Sequence, residues 1–360
     1  MKNIKGKIIN HNSSFYGEVN FDETIKGIKE IENNNIDNYI IPGFIDLHCH
    51  GGNGFDTMEG LNSIQKMSSY HLSKGTTTLL ATTWTNTFEN TFKALDGFNN
   101  LLSLNSNLIG VHLEGPFINP NKLGAQQALT QLPSIEFIEK IKSIANIMVI
   151  TLAPEIKGMN NFISYLIQNN INVQFGHSLA DFNICNKYID KYKIGYTHLY
   201  NAMSGNDHRN PGVLTAALLK SQYAEIICDF EHVSPQAIDI AKKCIPNLYA
   251  VTDSVNAAGL KDGNYKFANS EITKQGNKIV LKDTHTLAGS IIDMHTTFQN
   301  LIKMQYTIEE AVSMTSYNAA KYLDLDNIGI IKENCKSNFL LLDKSYNIKE
   351  IYLNGKQIKR

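Results

Sequence analysis

The chain has 360 residues, of which 42% are hydrophobic, and its 33 basic and 34 acidic side chains leave a formal net charge of -1. That length can bury a substantial core, as one large domain or as a large and a small one. A balance so near neutral supplies no field to draw in nucleic acid or an anionic membrane surface, and no apolar run approaches the roughly 20 residues of a membrane helix.

The first ten residues, MKNIKGKIIN, carry basic groups but no apolar h-region, so no secretory signal is expected. The rest of residues 1–39 reads as short strand-like pieces (KGKIIN, GEVNFD) separated by Asn-rich turns. From Ile40 onward eight short apolar runs recur: 40–50, 76–83, 108–115, 147–155, 171–178, 194–202, 224–230 and 248–254. Each is rich in Ile, Val, Leu and Thr and stops at a polar or small residue. Continuous apolar runs of this length suit strands buried on both faces of a parallel sheet. Segments with apolar residues every three to four positions lie between them, as in PSIEFIEKIKSIA (133–145) and PQAIDIAKKC (235–244). Eight strands alternating with helices predict an α/β fold, a (β/α)8 TIM-like barrel. A doubly wound open sheet accounts for the alternation, but neither for the count of eight nor for a polar residue at every strand end.

After the eighth run, residues 264–286 alternate like a hairpin inserted in the last βα loop. Residues 336–360 read as short strands with an Asn-Gly turn at Asn354–Gly355. The two ends together predict a small β-sandwich domain, residues 1–42 with 325–360, against a barrel of residues 43–324. Cys49, Cys185, Cys228, Cys244 and Cys335 are scattered with no CxxC pair, which reads as free thiols in a cytoplasmic protein.

Barrel enzymes carry their active residues at the C-terminal ends of the strands. The ends of these runs hold His48 and His50, Glu114, Glu155, His177, His198, Asp229 and Asp253, a set rich in metal-ligand types. Residues i and i+2 of a strand share a face, so His48 and His50 can reach one ion while Cys49 points away. Glu114, ahead of a sharp Gly115-Pro116 turn, can bind one ion or bridge two. Asp253 suits a general base toward water and then an acid toward the leaving group, or else a ligand. His112, deeper in its strand, reads as a hydrogen-bonded core histidine.

These motifs together resemble the amidohydrolase superfamily, and within it the deacetylases of N-acetyl-D-glucosamine 6-phosphate. The resemblance rests on PGFIDLHCHG (42–51), GVHLEGPF (110–117), GHS (176–178), THLYNAM (197–203), HRNPG (208–212), VTDS (251–254) and TLAGS (286–290). It implies hydrolysis of the acetamide to glucosamine 6-phosphate and acetate, in amino-sugar catabolism and cell-wall recycling. It implies Glu114, His177 and His198 as metal ligands, with His48 and His50 completing a second site in some members, and Asp253 as acid/base. Ala125, Asn201, Ala202, Leu287, Ala288 and Gly289 match positions around the sugar. Arg209 and His232 match phosphate-binding positions, the Arg reaching the neighbouring active site of a homodimer. The implied cofactor is one or two divalent ions, zinc first, with iron, manganese and cobalt as alternatives.

Two departures stand out. Phe230 replaces a usual Gly, which puts a bulky group near the sugar site, and Asn210 replaces a usual Glu beside Arg209. Other amidohydrolases, acting on cyclic amides or deaminating, more often bridge two ions with a carbamylated Lys, a place Glu114 fills here. A non-catalytic paralogue is expected to lose ligands, whereas all six candidates are present.

Overall fold

The computed structural model describes every residue except 33–35, 103, 105, 268, 269 and 360. The terminal strands are β1 (Lys2–Ile9), β2 (Ser14–Phe21), β3 (Ile25–Glu30) and β4 (Tyr39–Pro42). The barrel follows as β5 (Phe44–Cys49), β6 (Thr76–Thr83), β7 (Leu108–Glu114), β8 (Ile147–Leu152), β9 (Asn172–Phe175), β10 (Ile194–Tyr196), β11 (Tyr223–Ile227) and β12 (Asn247–Val251). Strands β5 to β10 form one continuous parallel sheet, and β11 pairs with β12.

Two seams close the ring. The Leu199 N–H donates to Glu225 O at 2.9 Å across the β10–β11 gap, and the Asp253 N–H donates to His48 O at 2.8 Å across the β12–β5 gap. Helices fill the connections and cover the outer face, which is why every residue of TTTLLATT in β6 is buried. The helix predicted over 133–145 is shorter, Ile135–Lys142. Ser134 caps it, its Oγ accepting from the Phe137 N–H at 3.1 Å.

The apolar run at 40–50 is not one strand. Tyr39–Pro42 pairs with β1, and the chain then crosses at Gly43 into the barrel. A Cβ at Gly43 would lie 2.1 Å from Thr77 Oγ1, so only glycine allows the crossing.

Both chain ends build one seven-stranded sheet. In chain order after the barrel its strands are β16 (Phe339–Leu342), β17 (Ile348–Leu353) and β18 (Lys356–Gln357), and its spatial order is β18-β17-β16-β4-β1-β2-β3. Strands β2 and β16 stand three spacings apart in that order, about 14 Å on a flat sheet. Yet Phe21 of β2 meets Phe339 of β16 with ring centroids 4.9 Å apart. The sheet therefore folds face to face around its own core, in the manner of a sandwich. Asn354 and Gly355 make the β17–β18 turn at φ 47° and 69°, the left-handed pair that a tight hairpin needs.

The predicted hairpin is a three-stranded antiparallel sheet: β13 (Gly263–Phe267), β14 (Ser270–Gln275) and β15 (Lys278–Leu281). Residues 268 and 269 of that segment lie outside the described residues. It follows the last barrel strand and packs Phe267, Ile272 and Ile279 onto Trp84 and Val255.

Candidate active site

Strand parity and short overshoots carry the polar side chains to one end of the barrel. His48 is in β5 and His50 one residue beyond it; Glu114 ends β7. His177, His198 and Asp253 each sit two residues past β9, β10 and β12. These three have φ of 49°, 31° and 49°. Left-handed backbone is costly for residues with a Cβ and clusters where function demands it.

Hydrogen bonds assign the protons on the imidazoles. His48 Nδ1 lies 2.9 Å from Glu225 Oε2, His50 Nδ1 3.2 Å from Thr82 O, and His177 Nδ1 2.8 Å from Lys122 O. Each partner only accepts, so each Nδ1 carries the hydrogen and each Nε2 is left bare in the neutral ring. Those bare atoms converge, together with Nε2 of His198, whose own Nδ1 is buried with no hydrogen-bond partner among the described residues. His48 and His50 Nε2 are 3.2 Å apart, and His177 and His198 Nε2 are 3.0 Å apart. Glu114 Oε1 lies 3.4, 3.2 and 3.1 Å from Nε2 of His48, His177 and His198, and Glu114 Oε2 lies 3.2 Å from Nε2 of His50. Asp253 Oδ1 is 3.4 and 3.3 Å from Nε2 of His48 and His50.

Lone pairs packed this closely repel unless positive charge lies between them. The donor set therefore fits a divalent cation of the borderline type that takes imidazole and carboxylate. It divides into two groups, Glu114–His177–His198 and His48–His50–Asp253, with Glu114 between them.

Without a cation, protons supply the charge. Burial works against imidazolium at His48, but Glu114, Glu225 and Asp253 outweigh it and push its pKa up to about 9. At His50 burial is likewise outweighed, by Asp253 and Glu114, and the value rises to about 10. Burial would raise the Asp253 carboxyl, but His48 and His50 bring it down to about 2.

The sign of the pH effect follows. An unfolded imidazole titrates near 6.5, so above that pH the folded, metal-free protein holds protons that the unfolded chain has released. This stabilisation is fully present below pH 6.5 and is lost as pH rises through about 9 to 10. Chelator-treated protein should melt several degrees lower at pH 9.5 than at pH 6.5 in calorimetry. A flat or rising profile would contradict the buried imidazolium pair.

His50, Glu114, His177, His198 and Asp253 line a cavity of about 300 Å³, with His48 buried behind them; Ala125, Asn201, Ala202, His232, Leu287 and Gly289 complete its wall. Ala288 is behind the wall, fully buried, its N–H donating to Ile279 O at 3.1 Å. Gly289 has φ 61° and a Cβ there would stand 2.7 Å from Asp253 O. Arg209 does not reach this cavity; it sits on an exposed loop with its N–H on Asp207 Oδ1 at 2.9 Å.

Two strand-end carboxylates lie outside the cluster. Glu155 accepts from Asn119 Nδ2, Ser178 Oγ and the Leu179 N–H, at 2.8, 2.7 and 2.7 Å, and so braces the rim. Asp229 Oδ2 lies 2.7 Å from His232 Nδ1. Burial opposes charge on His232, but Asp229 outweighs it and raises its pKa, which favours an imidazolium facing an anion. His112 is a core residue, with Nδ1 3.0 Å from Leu47 O and Nε2 2.7 Å from Thr151 Oγ1. Burial brings its pKa down to about 4.

The expectation for Phe230 is corrected. Its backbone is left-handed at φ 69°, but its side chain packs against the main apolar core and not on the cavity. The bulky ring at the cavity wall is Phe267, from the inserted sheet. Gln126 also lines the cavity and donates from Nε2 to Glu114 Oε2, while its Oε1 accepts from the Thr85 N–H. Neither residue carried a signal in the sequence, because their place depends on long-range packing. Glu225 had one: a carboxylate inside the apolar run AEIICDF.

A profile of the amidohydrolase family matches residues 39–358. The N-acetylglucosamine-6-phosphate deacetylase of Bacillus subtilis (strain 168) is 37% identical over 306 residues, 80% of this chain and 76% of its own. The N-acetylgalactosamine-6-phosphate deacetylase of Escherichia coli O157:H7 is 30% identical over 327 residues, 88% of this chain and 86% of its own. The crystal structure of the N-acetylglucosamine-6-phosphate deacetylase from Thermotoga maritima matches with a TM-score of 0.93 at 31% identity, covering 100% of both chains. The chain belongs to the amidohydrolase family, a family of metal-dependent hydrolases. Within that family these three relatives are deacetylases of 6-phosphorylated N-acetylhexosamines.

Proposed function

We propose that this enzyme hydrolyses N-acetyl-D-glucosamine 6-phosphate to D-glucosamine 6-phosphate and acetate, in amino-sugar catabolism in the cytoplasm. The observation that carries this is the convergence of four imidazole Nε2 atoms on Glu114, with Asp253 against them, at the floor of a sugar-sized cavity. The substrate is taken from the relatives and supported by His232, whose raised pKa suits a phosphate.

Glu114, His177 and His198 would hold one divalent ion, and His48 and His50 with Glu114 a second, Asp253 standing beside it; zinc fits this donor set best. Bound there, the ion supplies Lewis acidity for the acetyl carbonyl and for water. The chain does the rest. Asp253, ionised at the cavity wall, takes a proton from the attacking water. As the C–N bond breaks, Asp253 returns that proton to the amine nitrogen. Ala125, Leu287 and Gly289 shape the sugar's wall.

Arg209 is assigned to the phosphate of a neighbouring subunit in a homodimer, which accounts for its exposed position away from its own cavity. The same reading keeps residues 43–324 as the catalytic barrel and 1–42 with 325–360 as the small domain, supported by the sheet both ends share. Among the described residues no helix is long and apolar enough to cross a membrane.

The deciding experiment is acetate release from the 6-phosphates of N-acetylglucosamine and N-acetylgalactosamine, with and without chelator. Turnover of neither, or turnover indifferent to chelator, overturns the proposal. Arg209→Ala should raise KM for the phosphorylated sugar by about 10-fold or more, the loss expected for a charge-assisted bond. It should leave the unphosphorylated sugar little affected; an equal effect on both removes Arg209 from phosphate binding.

A further inference from the structure

Glu225 is fully buried in the barrel interior, on β11, outside the Glu114–His177–His198 and His48–His50–Asp253 groups but clustered with His48 and His112 behind them. An ionised carboxylate there is tolerable only with its lone pairs satisfied. Three groups satisfy them, from three different strands or their ends. Oε2 accepts from His48 Nδ1 at 2.9 Å and from the His198 N–H at 3.3 Å, and Oε1 accepts from Gln174 Nε2 at 3.0 Å. Gln174 is itself anchored, its Oε1 accepting from Thr197 Oγ1 at 2.8 Å.

Both Oε2 partners belong to the site. His48 comes from one half of the donor set and His198 from the other, and the N–H that Glu225 holds on His198 is on backbone at φ 31°. A carboxylate behind a histidine selects which ring nitrogen keeps its hydrogen and how the ring is turned. From this geometry we propose that Glu225 is a positioning residue. It keeps the hydrogen of His48 on Nδ1, presents Nε2 to Glu114 and Asp253, and fixes the left-handed backbone of His198. This rests on the metal-site reading above and adds to it the group that orients its ligands.

Glu225→Gln is the informative variant. All three neighbours donate, so the amide sets its N–H against His48 and His198 in one orientation and against Gln174 in the other, and in both it removes the charge that holds the His48 ring. Long-range proton–nitrogen NMR of the zinc-loaded protein, in which His48 is neutral, should show a hydrogen-bonded Nδ1 proton on His48, assigned by its absence from His48→Gln. Glu225→Gln, with the charge gone and one acceptor fewer, should weaken or lose that signal. Competitive zinc titration should find the weaker of two ions bound about 10–100-fold less tightly, the usual loss when such an outer partner is removed. The ion held by His177 should be retained. An Nδ1 proton missing from wild type, or unchanged in Glu225→Gln with both affinities intact, overturns the proposal. Should Glu225→Gln not fold, the wild-type signal still decides. If wild type binds a single ion, and a His48/His50 double Ala variant binds the same number, the two-ion reading fails while the Nδ1 proton still judges Glu225.

Discussion

Asp253→Asn should lower kcat for acetate release by about 10³-fold, in the range that general acid–base groups contribute, with metal content unchanged. The reason is positional. Asp253 Oδ1 lies against Nε2 of His48 and His50, and its peptide is pinned by the N–H bond to His48 O. Asn keeps the size and one acceptor but cannot carry a proton from water to the leaving amine. Acetate release by stopped assay, beside elemental analysis of the same sample, separates the two roles sequence left open. Residual kcat within 10-fold of wild type, an effect too small for a general base, would remove Asp253 from proton transfer. Metal lost in parallel with activity would make it a ligand first.

Glu114→Gln should cost at least as much, by another route. Glu114 is 2% exposed, and its two oxygens face Nε2 atoms of four histidines on three strands or their ends. The amide halves the acceptors, removes the charge and turns an N–H toward the cluster. Metal affinity should fall by at least about 100-fold, the upper end of what losing even an outer partner costs. Turnover should fall to background at micromolar zinc. In the metal-free variant His48 also loses the first of the carboxylates that raise its pKa, so its imidazole should titrate lower than in wild type by NMR. A variant that keeps its zinc and its turnover would show that the cluster is not the reaction centre.

The alternation of apolar runs and amphipathic helices is a local property, and it made the barrel legible. Parity did the same for His48, Cys49 and His50: the two imidazoles turn inward while Cys49 Sγ lies 3.1 Å from His71 Nε2 outside the cluster. Strand ends located Glu114, His177, His198 and Asp253 because a barrel gathers those ends at one mouth. The same rule over-collected, since Glu155 and Asp229 also end runs but turn to Ser178 and His232.

What local pattern cannot encode is which strands meet across the barrel. Residue spacing by itself determined the fold class, the polar mouth of the barrel and the type of chemistry. Only the tertiary structure decided that Tyr39–Pro42 leaves the barrel run, that Phe267 and not Phe230 walls the cavity, and that Glu225 stands behind His48. It also placed Arg209 away from its own cavity. Each of these depends on register and on contacts between residues far apart in the chain, set by packing of the whole ring, and a run of apolar residues carries no mark of its partner.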